Sequence, residues 1–100
     1  MNHSEEILRT IRYEVEERRA YLDGGLTLSR LAELCGSNRT YVSEALQPLG
    51  GFNAYIGQCR IAFLESWRAA HPGTSLSAAI RSSGFRSRQT YYNLLKQLEG

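Results

Sequence analysis

At 100 residues, with 42% apolar and 22% charged side chains, the chain suits one domain or two small lobes sharing an element, and its composition excludes a disordered polymer. No apolar run reaches the roughly 18 to 20 residues of a membrane helix, and Met1–Glu6 lacks the basic-then-apolar pattern of a secretion signal, so a cytoplasmic protein is expected. The net charge of +2 is unevenly placed: residues 1–50 hold six arginines against eight acids and residues 51–100 six cations against two, which makes the second half the better partner for phosphate.

From Ser4 to about Leu22, the apolar residues Leu8, Ile11, Val15 and Leu22 fall at helical spacing among charges, predicting an amphipathic helix capped by Ser4 and stopped by Asp23-Gly24-Gly25. Its seam is too short for a free coiled-coil arm, so it should pack on its own domain. Thr27 can cap a second helix over about Leu28 to Cys35, with Leu28, Leu31, Ala32 and Leu34 inside and Arg30 free at the surface. Gly36 then supplies a residue tolerant of positive φ, and Asn38 is a strong N-cap for a helix from Arg39 to about Gln47, ended by Pro48 and Gly50-Gly51. Val42, Ala45 and Leu46 share the inner side of that helix. Arg39, Thr40, Ser43, Glu44 and Gln47 face outward, a short polar set whose chemistry suits base edges, although a merely solvated face has the same composition.

A longer helix, about Asn53 to Ala69, carries Tyr55, Ile56, Ile61, Phe63, Leu64 and Trp67 around much of its circumference, with Phe52 just before it. That pattern fits a rod buried between two lobes, its aromatic residues serving as core. Some 17 residues at about 1.5 Å each give it roughly 25 Å. His71-Pro72-Gly73 ends it. Thr74 or Ser75 can cap a short helix to about Ser83, Gly84 turns the chain, Phe85 plugs the turn, and Ser87 is the expected N-cap of a last helix, Arg88 to about Leu98. Its inner stripe is Tyr91, Leu94, Leu95 and Leu98. Outward stand Arg88, Gln89, Tyr92, Asn93 and Lys96, with Thr90 at the edge of the exposed arc. Arginine pairs bidentately with guanine, and glutamine or asparagine with adenine; Arg86 and Lys96, flanking the helix, suit phosphate contacts instead. Arg60, Arg68 and Arg81 stay open between phosphate contacts and scattered surface arginines.

Cys35 and Cys59 have no CxxC spacing and sit among apolar neighbours, as buried thiols do, and His3 and His71 are isolated, so no metal or other cofactor is expected. With no Ser/His/Asp set, paired acids or phosphate loop, the chain does not read as an enzyme.

A helix, a glycine turn and a capped second helix thus occur twice, from Leu31 to Val42 and from Ala79 to Tyr91. This is the pattern of two helix-turn-helix units, whose second helices enter a major groove of duplex DNA. With these units, the chain resembles the DNA-binding domain of the AraC/XylS family of bacterial transcription regulators over about residues 7–100. The resemblance rests on Leu26-Thr27-Leu28, Leu31-Ala32 through Gly36, Asn38 to Ser43, Phe52 with Tyr55-Ile56, Arg60-Ile61, Gly84-Phe85, Ser87-Arg88 and Tyr91-Tyr92.

The resemblance implies a seven-helix, all-α fold in which a central helix joins two homeodomain-like helix-turn-helix lobes. Residues 1–51 would form the first, 52–70 the linker helix and 71–100 the second. It implies sequence-specific binding of double-stranded DNA in successive major grooves about 34 Å apart. Thr40, Ser43 and Glu44 would be the first lobe's reading residues, and Arg88, Gln89, Thr90 and Asn93 the second's. Ile80 beside Ala79 and Ser83 before Gly84 depart from the family pattern, so a different helix crossing is expected in the second lobe. Glu44 stands where a basic or amide residue is common, so the first lobe is expected to contribute less affinity. A missing closing segment and the lack of an effector or receiver domain before Ser4 suit a piece of a larger regulator, with RNA polymerase as a further candidate partner. The competing expectation is a helical protein-interaction module of the same fold without DNA binding, suggested by the small net charge and the acidic first half.

Overall fold

The computed structural model describes residues 3–99. The described chain is all-helical, without a strand: α1 (His3–Arg12), α2 (Leu28–Leu34), α3 (Arg39–Leu46), α4 (Phe52–Ala70), α5 (Leu76–Ser82) and α6 (Arg88–Glu99). The described residues form six α-helices rather than seven. No described helix is long and apolar enough to cross a membrane.

The N-terminal helix differs most from its sequence pattern. Ser4 lies inside α1 rather than capping it, and the helix does not run evenly to Leu22. At Tyr13–Glu17 it widens into a π turn, closed by the Arg18 N–H donating to the Tyr13 carbonyl at 3.0 Å. Arg19 then stops it in the left-handed region (φ 60°), before the glycines, and a 3₁₀ turn, Ala20–Leu22, follows. The widened turn buries Glu14 as well as Val15 and brings Glu16 to accept a hydrogen bond from the Tyr55 hydroxyl. A one-face heptad count cannot anticipate that extra residue.

Two apolar clusters form the interior. Ile7, Ile11, Val15, Leu31, Val42 and Leu46 pack with Tyr55 and Ile56 in the first; Leu64 packs with Ala79, Ile80, Phe85, Tyr91 and Leu94 in the second. Helix α4 spans both, since its 19 residues reach about 28 Å. Tyr55 is buried, while Phe52, Phe63 and Trp67 are half-buried against the clusters. The His71 ring stacks on Trp67 at 4.2 Å, and its Nδ1 lies 2.8 Å from the Trp67 carbonyl. Leu98, expected inside, is 46% exposed, because the second cluster ends at Leu94 and the half-buried Leu95.

Ser83 has a positive reason to be there. It is wholly buried, and its hydroxyl donates to the Ala79 carbonyl at 2.7 Å, while its own N–H turns to Ile80 at 3.2 Å. The side chain thus satisfies an end-of-helix carbonyl that the backbone has abandoned.

The clusters meet where Gly84 (φ 89°) rests on the 3₁₀ turn. A Cβ at 84 would run into the Tyr21 carbonyl oxygen and Leu22, and one at Gly24 would stand 3.0 Å from Arg86 Cγ.

Candidate nucleic-acid interface

Each candidate reading helix is started by a cap and preceded by a glycine turn. In the first unit the Thr27 hydroxyl accepts from Arg30 N–H (3.1 Å), and α2 closes with Ser37 N–H donating to Ala32 (2.9 Å) and Gly36 N–H to Glu33 (3.0 Å). Those two bonds form a Schellman closure, which requires Gly36 at φ 63°. The Asn38 carboxamide then accepts from Tyr41 N–H at 2.9 Å and starts α3. In the second, Ser75 accepts from Ala78 N–H and starts α5, Gly84 turns the chain, and Ser87 accepts from Thr90 N–H at 3.1 Å. The expected caps after Ser4 are therefore made, with Ser75 rather than Thr74 starting α5.

Val42, Ala45 and Leu46 bury the inner side of α3, leaving Arg39, Thr40, Glu44 and Gln47 exposed and Ser43 half-buried. Arg39, Thr40, Ser43 and Glu44 line one shallow hollow whose wall is Leu28. Gln47 is not part of it; it begins a 3₁₀ turn, Gln47–Leu49, instead of extending α3. On α6, Gln89, Tyr92, Asn93 and Lys96 line a second hollow. Arg86 and Arg88 are exposed but border neither.

The polar groups of α6 are partly committed to one another. Gln89 Nε2 donates to Asn93 Oδ1 at 2.8 Å, one turn apart, and the Thr90 hydroxyl lies 3.0 Å from that of Ser87. That bond uses one of the two Gln89 Nε2 hydrogens and one of the two Asn93 Oδ1 lone pairs, so each amide keeps a donor and an acceptor for a base. Thr90 turns to a cleft between α4 and α6, lined by Asn53, Gly57, Arg60 and Gln97 among others. Asn53 and Gln97 are polar groups beside the candidate site that helix-by-helix reading missed. The spacing of Asn53, Gly57 and Arg60 on one face of α4 is the signal that could have found them.

Among the described residues, the arginines with a carboxylate partner are Arg12, Arg18 and Arg30. Arg30, expected free, holds Glu33 at 3.0 Å. Arg39, Arg86, Arg88 and Lys96 have no such partner, nor does Glu44. These four cations are thus open to an external anion such as a phosphate. Arg60 is different: half-buried, it donates from Nε to the Tyr21 carbonyl (2.7 Å) and from Nη2 to the Asp23 carbonyl (2.9 Å). Burial lowers its pKa, yet two carbonyl acceptors suit the charged form. This corrects the scattered-surface alternative for Arg60. Arg68 and Arg81 remain exposed.

Neither thiol is fully buried. Cys35 and Cys59 are half-buried, and burial pushes each up to about 11, helped by the Glu14 and Glu16 carboxylates respectively. The described residues include no cluster of His, Cys, Asp and Glu able to hold a metal ion.

No family model, curated protein or solved structure matches the chain.

Proposed function

We propose that the chain is a sequence-specific, double-stranded DNA-binding domain of a transcription regulator resembling the AraC/XylS type, reading with α3 and α6 as the second helices of two helix-turn-helix units. One observation carries this reading: the same construction, a capped short helix, a positive-φ glycine turn and a capped second helix, occurs twice, each time presenting an outer face of polar groups and unpaired cations. The 46 Å longest extent leaves room for two helices in grooves about 34 Å apart. Arg39, Arg86 and Lys96 would hold phosphates; Thr40, Ser43 and Glu44, with Gln47 at the helix end, and Arg88, Gln89, Thr90 and Asn93 would meet bases. The work is binding, without catalysis, in the cytoplasm, with RNA polymerase as a further partner.

Selection from a pool of random duplexes at low salt tests it. The expected result is a bipartite motif with half-elements about 10 base pairs apart. Recovery of no motif overturns it.

A protein-interaction module is the second reading, and the exposure of Tyr41, Tyr92 and Leu98 (44–46%) favours it. A stable complex formed without DNA, at a surface that includes α6, would be its mark.

A further inference from the structure

We infer that Arg60 is a positioning residue that fixes the second lobe against the first and thereby sets which spacing of DNA half-elements the protein accepts. The fixing of the lobes stands on the geometry alone; the spacing rests on the proposed DNA reading.

The contacts make a closed circuit. Arg60 projects from α4 and holds the 3₁₀ turn and the residue that follows it, through the carbonyls of Tyr21 and Asp23 at 2.7 and 2.9 Å. The Tyr21 ring is anchored in the first cluster and meets Phe63 edge-on at 6.1 Å. The Tyr21 carbonyl that Arg60 holds is also the seat for the second unit's turn: a Cβ at Gly84 would meet that oxygen and Leu22, and one at Gly24 would meet Arg86. The turn leads through Ser87 into α6, whose Leu94 returns to α4 at Gly57, where an added Cβ would stand 2.5 Å from Leu94 Cδ2. Helix α6 is thus located at two points, by α4 directly and by the segment Arg60 holds.

The side chains of the 3₁₀ segment are held by the first cluster, through Tyr21 with Ala20 and Leu22, whereas its Tyr21 carbonyl is held by Arg60. The segment follows Arg19, the one described non-glycine residue at positive φ, and it is three residues long. A guanidinium suits the task because its planar fork can bridge two carbonyls at once, which an ammonium cannot do with fixed geometry. Without the fork, the two carbonyls would be left to water and the seat of Gly84 would be free to shift. A lobe displaced by part of a base-pair step cannot place its helix in the groove while the other remains in register.

The test has two arms. Spin labels at Ser29→Cys on α2 and Arg81→Cys on α5, both exposed, report the separation of the lobes without DNA, in a background with Cys35→Ala and Cys59→Ala. The parent should give one narrow distance distribution, and Arg60→Met, which keeps the apolar stem, a broad or displaced one with helix content unchanged. An unchanged distribution in Arg60→Met overturns the inference. Should Arg60→Met fail to fold, Arg60→Lys decides by the same criterion. In the second arm, duplexes carrying the selected half-elements at spacings of about 9 to 12 base pairs should be discriminated by the parent at least roughly tenfold and by Arg60→Met less than about threefold, while affinity for a single half-element stays within about twofold. Retained discrimination overturns the spacing role. A parent that binds no duplex overturns the DNA reading instead, and the distance arm still decides whether Arg60 positions the lobes.

Discussion

Leu94 of α6 covers Gly57 of α4 so closely that a Cβ at 57 would meet its Cδ1, Cδ2 and Cγ at 2.9, 2.5 and 3.2 Å. Gly57 has no positive φ to explain it; what it provides is room. Alanine there would gain about 1 kcal/mol of helix propensity, but overpacking a buried leucine typically costs 1–3 kcal/mol. A net loss of about 1 kcal/mol is therefore expected for Gly57→Ala in denaturant unfolding. Because the cost arises at one partner, Leu94→Ala should be less damaging in the Gly57→Ala background than alone. Strict additivity of the two substitutions would show that the crowding is relieved elsewhere.

Ser83→Ala removes the donor to the Ala79 carbonyl at a wholly buried site, where the backbone N–H has already gone to Ile80. Leaving a buried acceptor without a partner costs about 1–3 kcal/mol. A melting point lower by at least about 4 °C is expected for a domain of this size. An equal or higher melting point would mean that Ser83 is tolerated there rather than needed.

The outward residues of α6 should separate by what they touch. Lys96→Ala is expected to weaken binding to all duplexes alike and to reduce the salt slope by about 1, because one phosphate contact is lost. Asn93→Ala should relax base preference at one position, at a cost of roughly 1–3 kcal/mol. Gln89→Ala has an additional effect, since it also frees the Asn93 carboxamide from its 2.8 Å bond. Its change in preference should therefore extend to the position read by Asn93. A uniform loss for all three variants in a shift assay would contradict base reading by this helix.

The caps at Thr27, Asn38 and Ser87, Ser75 as one of two candidates with Thr74, and the glycine turns were legible in the sequence because each is a local device: a hydroxyl or carboxamide three residues before the N–H it accepts from, and a glycine where φ must be positive. The π turn at Tyr13–Glu17 was not. Nothing in a helical period marks the place where one extra residue enters, and its stabilising partner, Tyr55, lies 39 positions away. Arg60 was hidden for the same reason, its acceptors being backbone carbonyls that carry no sequence signal. Leu98 followed the stripe of α6 faithfully but lies beyond the core that the stripe packs on. How far α3 and α6 can act together is a matter of such distant contacts, which is why the arrangement of the two units was the least readable part.

Alkali should unfold this protein through groups buried in their neutral forms. The thiols of Cys35 and Cys59 have folded values of about 11 against an ordinary 9.0, each chiefly through burial, and burial also raises the phenols of Tyr21 and Tyr55. A raised value means that the native state holds its protons longer than the unfolded chain does. Their contribution is therefore fully present below pH 9 and is lost as pH climbs toward 11, where the unfolded thiols have ionised and the folded ones have not. Urea midpoints should be level up to about pH 8.5 and fall steadily above it. A variant with both cysteines replaced by alanine should show a shallower fall between pH 9 and 10, because only the phenols then titrate. Modification by a thiol reagent at pH 8 should also be slower for the folded protein than for the chain in urea, since the thiolate is the reactive form. Equal rates in the two states would remove the burial on which the alkaline loss depends.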